Sequence, residues 1–255
     1  MLKAVFFDID NTLIYFDEEN FFRNYTPRLH RHFQDLVPLD RFVRKIIGST
    51  QAMLANDGRV SNAEHFLNDF AKDLPVSVPE LWTRFTEFYS TGFESLRGLA
   101  VPHPDVPGIM DQLRSMGLKL VAASNPVWPL QVQQKRLNWA GLEGFRFDFI
   151  AHIENTSFCK PRPEFYLEVC RAIGEAPGAC LMVGNDSVND MSAALAGLLT
   201  FKVQDGKLAG RSTLGLSREL RNGAGEPVQP DFTGGLGDLL HAVRPLVQDT
   251  GGKIT

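Results

Sequence analysis

The sequence predicts an α/β protein with a mostly parallel sheet, helices on both of its faces, and an all-helical segment inserted after the first strand. Short, almost wholly apolar runs recur along the chain, as expected of strands that are covered on both faces. They occupy residues 2–7, 118–123, 147–153, 180–183 and 199–203. Helical patterns separate the later runs, and strand–helix–strand alternation of this kind is typical of a parallel sheet.

The helical patterns between the later strands end at glycines. They cover residues 106–116, 129–140 and 163–173, and the glycines that follow them are Gly117, Gly141 and Gly174. A glycine at this position predicts a left-handed C-terminal cap. Residues 205–230 are rich in glycine, arginine and polar residues and predict a loop, and a last helix is expected near 236–247.

Residues 16–99 break the alternation and predict four consecutive helices. The first ends before Pro38, and Ser61 and Ser77 open two others with the Ser-x-x-Glu pattern of a capping box. We interpret the many phenylalanines of these helices as core rather than as a ligand pocket. The return at residues 92–104 has the glycine and proline content of a hinge. We therefore expect two domains, a core formed by residues 1–15 and 100–255 and a helical domain formed by residues 16–99.

Composition excludes several classes of function. The 255 residues include 26 Lys plus Arg and 30 Asp plus Glu, a net charge of −4 that argues against non-specific nucleic-acid binding. No stretch approaches the roughly 20 apolar residues of a membrane span. The three cysteines lack close CxxC spacing, so neither a disulfide framework nor a structural zinc site is expected. We expect a cytoplasmic protein that binds neither nucleic acid nor membranes.

Two carboxylates follow the first predicted strand. Asp8 and Asp10 are alternate residues of an extended segment, so both side chains can face one crevice. In open parallel sheets, ligands bind in the crevice at the carboxyl ends of the strands. Such a pair suits a nucleophile with a general acid and base, or a shared cation. Taken alone, an aspartate-containing structural turn explains the pair equally well.

More polar side chains follow the later predicted strands. Ser124 and Asn125 come after the second strand, Lys160 after the third, and Asp186 and Asp190 after the fourth. Each residue alone suits a helix cap or a solvated charge. Together, polar groups at four successive strand ends predict a single site at one edge of the sheet.

These segments resemble the four motifs of the haloacid dehalogenase superfamily, in the same order. The matching residues are Asp8-Ile9-Asp10-Asn11-Thr12, Ser124, Lys160 in Lys160-Pro161-Arg162-Pro163, and Gly184-Asn185-Asp186 to Asp190. The resemblance implies a Rossmann-like, doubly wound core with strand order 5-4-1-2-3 and the first strand at its centre. It also implies that residues 16–99 form the helical C1 cap of that superfamily.

The resemblance implies a role for each motif residue. Asp8 would be the nucleophile, Asp10 the general acid and base, and Lys160 a fixed positive charge for the phosphoryl oxygens and for Asp8. Ser124 and Asn125 would join Lys160 in binding phosphate. The implied Mg²⁺ ligands are Asp8, the backbone carbonyl of Asp10, and Asp186, with Asp190 as an additional or outer ligand.

The residue at position 10 separates the reactions of the superfamily. Members that cleave carbon–halogen bonds carry a tyrosine there, whereas phosphatases keep an aspartate, as this chain does. We therefore expect a Mg²⁺-dependent phosphatase that hydrolyses a small phosphomonoester through an aspartyl-phosphate. The alternatives are a phosphomutase, a 2-haloacid dehalogenase, which Asp10 disfavours, and a non-enzymatic phospho-acceptor domain, which usually lacks such an insert and is about half as long.

The cap of this superfamily supplies substrate specificity, so substrate contacts are expected in residues 16–99. The basic candidates are Arg23, Arg28, His30, His32, Arg44 and Lys45. Such residues more often form the solvated face of amphipathic helices. Phe16, Asn125 and Trp128 are expected nearer to the leaving group, and sealing the cap against the core is the favoured interpretation for Trp128.

Overall fold

The computed structural model describes residues 1–204 and 228–247. Within them the strands are β1 (Ala4–Phe7), β2 (Ile14–Tyr15), β3 (Val101–Pro102), β4 (Lys119–Ala122), β5 (Phe149–Ile150), β6 (Cys180–Gly184), β7 (Leu199–Val203) and β8 (Phe232–Gly234). The α-helices are α1 (Glu18–His30), α2 (Leu39–Leu54), α3 (Asn62–Ala71), α4 (Val78–Thr91), α5 (Val106–Ser115), α6 (Leu130–Trp139), α7 (Pro163–Ile173) and α8 (Leu239–Val247). The sequence-predicted loop lies outside the described residues over 205–227.

The main sheet is parallel and has the order β5-β4-β1-β6-β7-β8. The five predicted strands correspond, in chain order, to β1, β4, β5, β6 and β7. Read from the β7 side, they follow the expected order 5-4-1-2-3, and β1 is central as expected. The sixth strand, β8, extends the sheet beyond β7 and was not predicted. It is only three residues long and partly exposed, so it carries no continuous apolar run that would reveal it in the sequence.

Residues of the central strands alternate between two apolar layers. Val5 and Phe7 point into a cluster that includes Ile109 of α5 and Val243 of α8. Their neighbours on β1 pack on the other face, in a cluster that includes Val169 of α7. Because β1 is covered on both faces, all four of its residues are buried. The predicted arrangement of helices on both faces of the sheet is confirmed.

The predicted caps are also present. Gly117, Gly141 and Gly174 all adopt positive φ, between 71° and 79°. Ser61 accepts a hydrogen bond from the backbone N–H of Glu64 at 3.1 Å, so the cap predicted for α3 is confirmed. A matching bond joins Ser77 to the N–H of Glu80 at 3.3 Å and caps α4.

The helices α1 to α4 lie between β2 and β3, followed by a 3₁₀ helix at Phe93–Leu99. Their interior is built from aromatic rings, for example Phe33 against Phe85, with ring centroids 4.7 Å apart. The strands β2 and β3 were not predicted, since two residues are too few to show a periodic pattern. They pair antiparallel, which places the entry to the helical segment beside its exit.

The helical segment also contacts the rest of the chain. Asn62 donates to Thr156 Oγ1 at 3.0 Å, and the N–H of Ala63 donates to the carbonyl of Ile153 at 2.8 Å. Phe93 stacks on Trp139 of α6 with ring centroids 5.2 Å apart. Among the described residues, no helix combines the length and apolar character needed to cross a membrane.

Candidate active site

The turn after β1 presents Asp8 and Asp10. The carbonyl of Ile9 accepts hydrogen bonds from the N–H groups of Leu13 at 2.9 Å and Ile14 at 3.1 Å, which curls the chain back on itself. Asn11 adopts a φ of 56°, a left-handed conformation that asparagine tolerates better than most residues. As predicted, both carboxylates line one cavity.

Lys160 is the buried centre of the site. Its ammonium group lies 3.0 Å from Asp8 Oδ1 and 2.6 Å from Asp190 Oδ1, and its side chain is 1% exposed. Burial alone would lower the pKa of Lys160, but the carboxylates of Asp190 and Asp8 outweigh burial and raise it. The lysine therefore stays positively charged. The same burial raises the pKa of Asp190 against the opposing charge of Lys160.

The loop after β6 fixes Asp186 and Asp190. Asp186 Oδ1 accepts hydrogen bonds from the N–H groups of Val188 and Asn189, both at 2.7 Å. Asp190 Oδ2 accepts from the N–H of Asp186 at 2.9 Å, while its other oxygen holds Lys160. These residues form a turn ahead of a 3₁₀ helix at Met191–Ala196, not the start of an α-helix. Both oxygens of Asp190 are thus occupied within the site.

Gly184, at the end of β6, leaves room for Asp190. A Cβ atom at this position would overlap the carboxylate of Asp190 and lie 2.8 Å from its Cβ. Asp190 is almost fully buried, and its two carboxylate oxygens are held by Lys160 and by the N–H of Asp186. We expect Gly184→Ala to lower the free energy of unfolding by about 1–3 kcal/mol, the usual cost of overpacking, as measured by urea denaturation.

The matched control is Gly108→Ala. A Cβ on Gly108 has no neighbour within 4 Å, and this glycine lies inside α5. Alanine there should raise stability by about 0.5–1 kcal/mol, since glycine is a poor helix former. A Gly184→Ala protein as stable as the native one would contradict the tight packing of Asp190.

Arg136 of α6 is a site residue that sequence analysis missed. It is 2% exposed, and its Nη2 atom contacts the carboxylate of Asp10. Its other terminal nitrogen donates to Gln133, which in turn donates to the carbonyl of Ala151 at 3.1 Å. A signal was available, because Arg136 shares a helix face with Gln133 and Val132, which lie three and four residues earlier and are buried.

Asp10 titrates abnormally in this environment. Burial raises the pKa of Asp10 above the ordinary aspartate value, and the opposing charges of Arg136 and Lys160 only partly offset it. The nearby carboxylate of Asp8 raises it further. A carboxyl group with a raised pKa holds a proton more readily, as a general acid requires.

Ser124 and Asn125 follow β4, as predicted, and line the same cavity. Ser124 is 2% exposed. Asn125 accepts a hydrogen bond from the backbone N–H of Lys160 at 3.2 Å, which ties the ends of two neighbouring strand segments together. The structure therefore brings all seven sequence-predicted site residues to one cavity of about 270 Å³.

The basic candidates of the cap conform to the favoured interpretation as solvated helix faces, since side chains such as Arg23 and Arg44 are exposed. None of the six basic candidates lines this cavity; they are Arg23, Arg28, His30, His32, Arg44 and Lys45. Most are engaged locally: Arg23 pairs with Glu19 at 2.6 Å, and Lys45 donates to the carbonyl of Lys72 at 2.7 Å. The cavity wall is aromatic instead, and both Phe16 and Trp128 contribute to it, as expected for residues near a leaving group.

A protein-family model matches most of the chain. Residues 2–197 match the family model described as a haloacid dehalogenase-like hydrolase. The chain belongs to this haloacid dehalogenase-like hydrolase family. The predicted membership is confirmed, and membership of a hydrolase family leaves the non-enzymatic phospho-acceptor domain without support.

Curated relatives of this family member include phosphatases. A glyceraldehyde 3-phosphate phosphatase of Methanopyrus kandleri is 28% identical over 214 residues, covering 81% of this chain and 86% of the relative. A phosphoglycolate phosphatase of Aquifex aeolicus is 24% identical, covering 78% and 83%. An N-acetylmuramic acid 6-phosphate phosphatase of Pseudomonas aeruginosa is 28% identical, covering 80% and 83%.

Solved structures of the family share the fold. The L-2-haloacid dehalogenase of Xanthobacter autotrophicus superposes with a TM-score of 0.56 at 22% identity, covering 96% of this chain and 99% of that one. A HAD phosphatase of Thermococcus onnurineus gives a TM-score of 0.53 at 21% identity, covering 95% and 98%. Dehalogenases and phosphatases are both represented, so these similarities establish the fold. The reaction must be inferred from the residues of the site.

The donor chemistry of this hydrolase suits a hard cation. Four aspartates line the cavity against the two cationic side chains Lys160 and Arg136, an excess of negative charge. No histidine or cysteine is among the described residues that line it, so the available ligands are oxygen atoms, which Mg²⁺ prefers. Within residues 1–204 and 228–247, no three His, Cys, Asp or Glu side chains converge as a ready-made metal cluster. A bound Mg²⁺ would therefore also draw on carbonyl and water oxygens.

Proposed function

We propose that this chain is a phosphatase that hydrolyses a small phosphomonoester through a phosphorylated Asp8. The observation that carries the proposal is the contact of Asp8 with the buried, charged Lys160, beside a second carboxyl group, Asp10, whose pKa is raised. The phosphatase names of the curated relatives agree with it. Residues 16–99 act as the cap, and residues 1–15 and 100–255 act as the catalytic core.

Phosphate binding depends on positive charge. A carboxylate 4 Å from a unit negative charge is repelled by about 4 kcal/mol at an effective dielectric constant near 20. The ammonium of Lys160 offsets this repulsion, and it needs no reorganisation because Asp8 and Asp190 already hold it. The hydroxyl of Ser124 and the amide of Asn125 supply hydrogen bonds to the phosphoryl oxygens.

In the first step, a carboxylate oxygen of Asp8 attacks phosphorus, and the bond from phosphorus to the ester oxygen breaks. Asp10 gives its proton to the leaving oxygen, so the product is a neutral alcohol. The raised pKa of Asp10 favours the protonated form that this step needs. Arg136 contacts Asp10 and orients it.

In the second step, a water molecule attacks the phosphorus of the aspartyl-phosphate. Asp10 accepts the proton of this water, the bond from Asp8 to phosphorus breaks, and inorganic phosphate leaves. Asp10 is protonated again and Asp8 is a carboxylate again, so the site returns to its starting state.

Asp8, Asp186 and the backbone carbonyl of Asp10 are the residues that would hold Mg²⁺. When bound, the cation supplies further positive charge to the phosphoryl oxygens. Asp190 keeps Lys160 in place and joins the site from the outer side, since both of its oxygens are engaged by protein groups.

The test is phosphate release from a panel of phosphomonoesters, with Mg²⁺ and after removal of divalent metal by a chelator. We expect release that depends on the metal. Conversion of a hexose phosphate into its isomer without free phosphate would instead favour the phosphomutase, and chloride release from a 2-haloacid would favour the dehalogenase. Either result would overturn the proposed reaction.

Arg136 should prove to be a positioning residue for Asp10. We expect Arg136→Gln to lower kcat about 10- to 100-fold with little change in KM, because the ester still binds while the acid is misplaced. Steady-state kinetics on the best ester measure both constants. The control is Arg114→Gln. Arg114 forms an ion pair with Asp148, with a nitrogen–oxygen distance of 2.7 Å, and neither residue lines the cavity. Equal losses in the two variants would contradict the assignment.

A further inference from the structure

We infer that the substrate of this site is the phosphate ester of an uncharged, largely apolar alcohol with a ring or a chain of several carbons. The inference rests on the proposed phosphatase function and specifies its leaving group. It follows from the contrast between the polar end of the cavity, where Asp8 and Lys160 lie, and the remainder of its wall.

The wall beyond the phosphate site is aromatic. Ten aromatic side chains line the cavity, including Phe22 of α1, Trp82 of α4 and Trp128. Some of them, such as Phe22, Trp82 and Trp128, are only partly buried, so they still have apolar surface to lose to a ligand. Covering that surface is favourable for an apolar group and offers little to a hydroxylated or charged one.

The helical side of the cavity has no cation for a second anionic group. Among the described residues of 16–99 that line the cavity, none is a lysine, arginine or histidine. The charged side chain in this set is Glu18. A carboxylate on the substrate would meet aromatic rings there, without a cationic side chain among these lining residues to pair with it. Arg136, the guanidinium that lines the cavity, contacts Asp10. Burial of an unpaired charge is strongly unfavourable, so a leaving group with a carboxylate is disfavoured.

The polar atoms on this side are suited to a neutral group. Tyr25 and Tyr89 both line the cavity and are largely buried, and their hydroxyls lie 3.1 Å apart. One hydroxyl donates to the other, which leaves one O–H able to donate to a ligand. Burial raises the pKa of both tyrosines, so they remain neutral. A single hydroxyl or carbonyl on an otherwise apolar leaving group matches this pair.

The size of the cavity sets the length of the leaving group. Ligand sites typically measure about 300–1,000 Å³, and this cavity of about 270 Å³ lies just below that range. It therefore suits one ring or a short chain in addition to the phosphoryl group, and not a nucleotide.

The first experiment compares kcat/KM of the full chain with Mg²⁺ for ethyl, butyl, hexyl and 2-phenylethyl phosphate. These esters have similar primary alkyl leaving groups, so their intrinsic reactivities are alike. We expect kcat/KM to rise at least about tenfold from ethyl to hexyl phosphate, given that each buried methylene is worth about fourfold. Phosphoglycolate and glyceraldehyde 3-phosphate should fall below hexyl phosphate. A preference for either polar ester would overturn the inference and leave the phosphatase proposal intact.

A pair of variants locates the preference in the cavity wall. Phe22 is partly buried, and its ring contacts Tyr25, so truncation should leave the core of the helical segment in place. We expect Phe22→Ala to reduce the ratio of hexyl to ethyl turnover several-fold. The matched control is Phe145→Ala, because Phe145 is also partly buried but packs against Phe147 and lies outside the cavity wall. Equal ratios in the two variants would count against the wall as the cause.

Binding gives a readout that does not need turnover. All three tryptophans of the chain line the cavity, so their fluorescence reports its occupancy. We expect hexylphosphonate, a non-hydrolysable analogue, to bind at least about tenfold more tightly than ethylphosphonate in the presence of Mg²⁺. Tight binding without hydrolysis of any ester would support the apolar ligand and overturn the phosphatase proposal. Equal affinities would overturn the apolar ligand.

Discussion

Asp8→Asn should lower phosphate release by about a thousandfold or more, the scale of loss seen when a catalytic nucleophile is removed. The amide of asparagine is a poor nucleophile, so no aspartyl-phosphate can form. The fold should survive, because Lys160 keeps its contact with Asp190 at 2.6 Å. Release of inorganic phosphate from the best ester measures the loss, and a thermal melt followed by circular dichroism checks folding.

Two variants frame this result. Asp148→Asn is the matched control, since Asp148 pairs with Arg114 outside the cavity, and it should retain native turnover. Asp10→Asn should slow both steps, but with p-nitrophenyl phosphate, whose leaving group needs no proton, only hydrolysis of the phosphorylated enzyme is impaired, so the intact protein should gain the mass of one phosphoryl group. If Asp8→Asn keeps more than a tenth of native turnover, Asp8 is not the nucleophile.

The sheet was predictable because burial on both faces leaves a strong trace in the sequence. Every residue of β1 is buried, and its apolar run shows this directly. β8 and the pair β2 and β3 left no such trace. These strands have two or three residues and are held by pairing with a neighbouring segment, which short-range periodicity does not record.

The polar end of the site was predictable for a related reason. Parallel strands bring their carboxyl ends to one edge of the sheet. Polar residues at successive strand ends therefore converge, regardless of the length and conformation of the connecting segments. Asp8, Ser124 and Lys160 were found in this way, and the structure places them in one cavity. Arg136 was not found, because it lies within the helix α6, and the argument from polar residues at strand ends does not apply to helix residues.

The apolar end of the site was mispredicted, and the reason is physical. Basic residues such as Arg23 and Arg44 were candidates for an anionic substrate, but they pair with acidic neighbours one helical turn away, as solvated helix faces do. Aromatic residues such as Phe21 and Phe22 were interpreted as core, yet they line the cavity. A helical pattern identifies the apolar face of a helix but not whether that face meets another helix or a ligand.

Lys160→Met should damage both stability and activity, since Lys160 lies between two carboxylates. Asp190 is 1% exposed, and removing its partner leaves a buried charge without compensation. Loss of one partner of a buried ion pair typically costs about 3–5 kcal/mol, which urea denaturation would detect. Loss of the charge that offsets repulsion of the phosphate should slow turnover about a thousandfold.

The two effects are separable by adding Asp190→Asn. The asparagine keeps the size of Asp190 and an oxygen that can accept the N–H of Asp186, but it carries no charge. Lys160→Met/Asp190→Asn should therefore recover most of the lost free energy of unfolding. Turnover should stay low, because Asp8 and the phosphoryl group still lack the positive charge of Lys160. Recovery of turnover together with stability would mean that Lys160 serves only to neutralise Asp190, and the phosphate would need another source of positive charge.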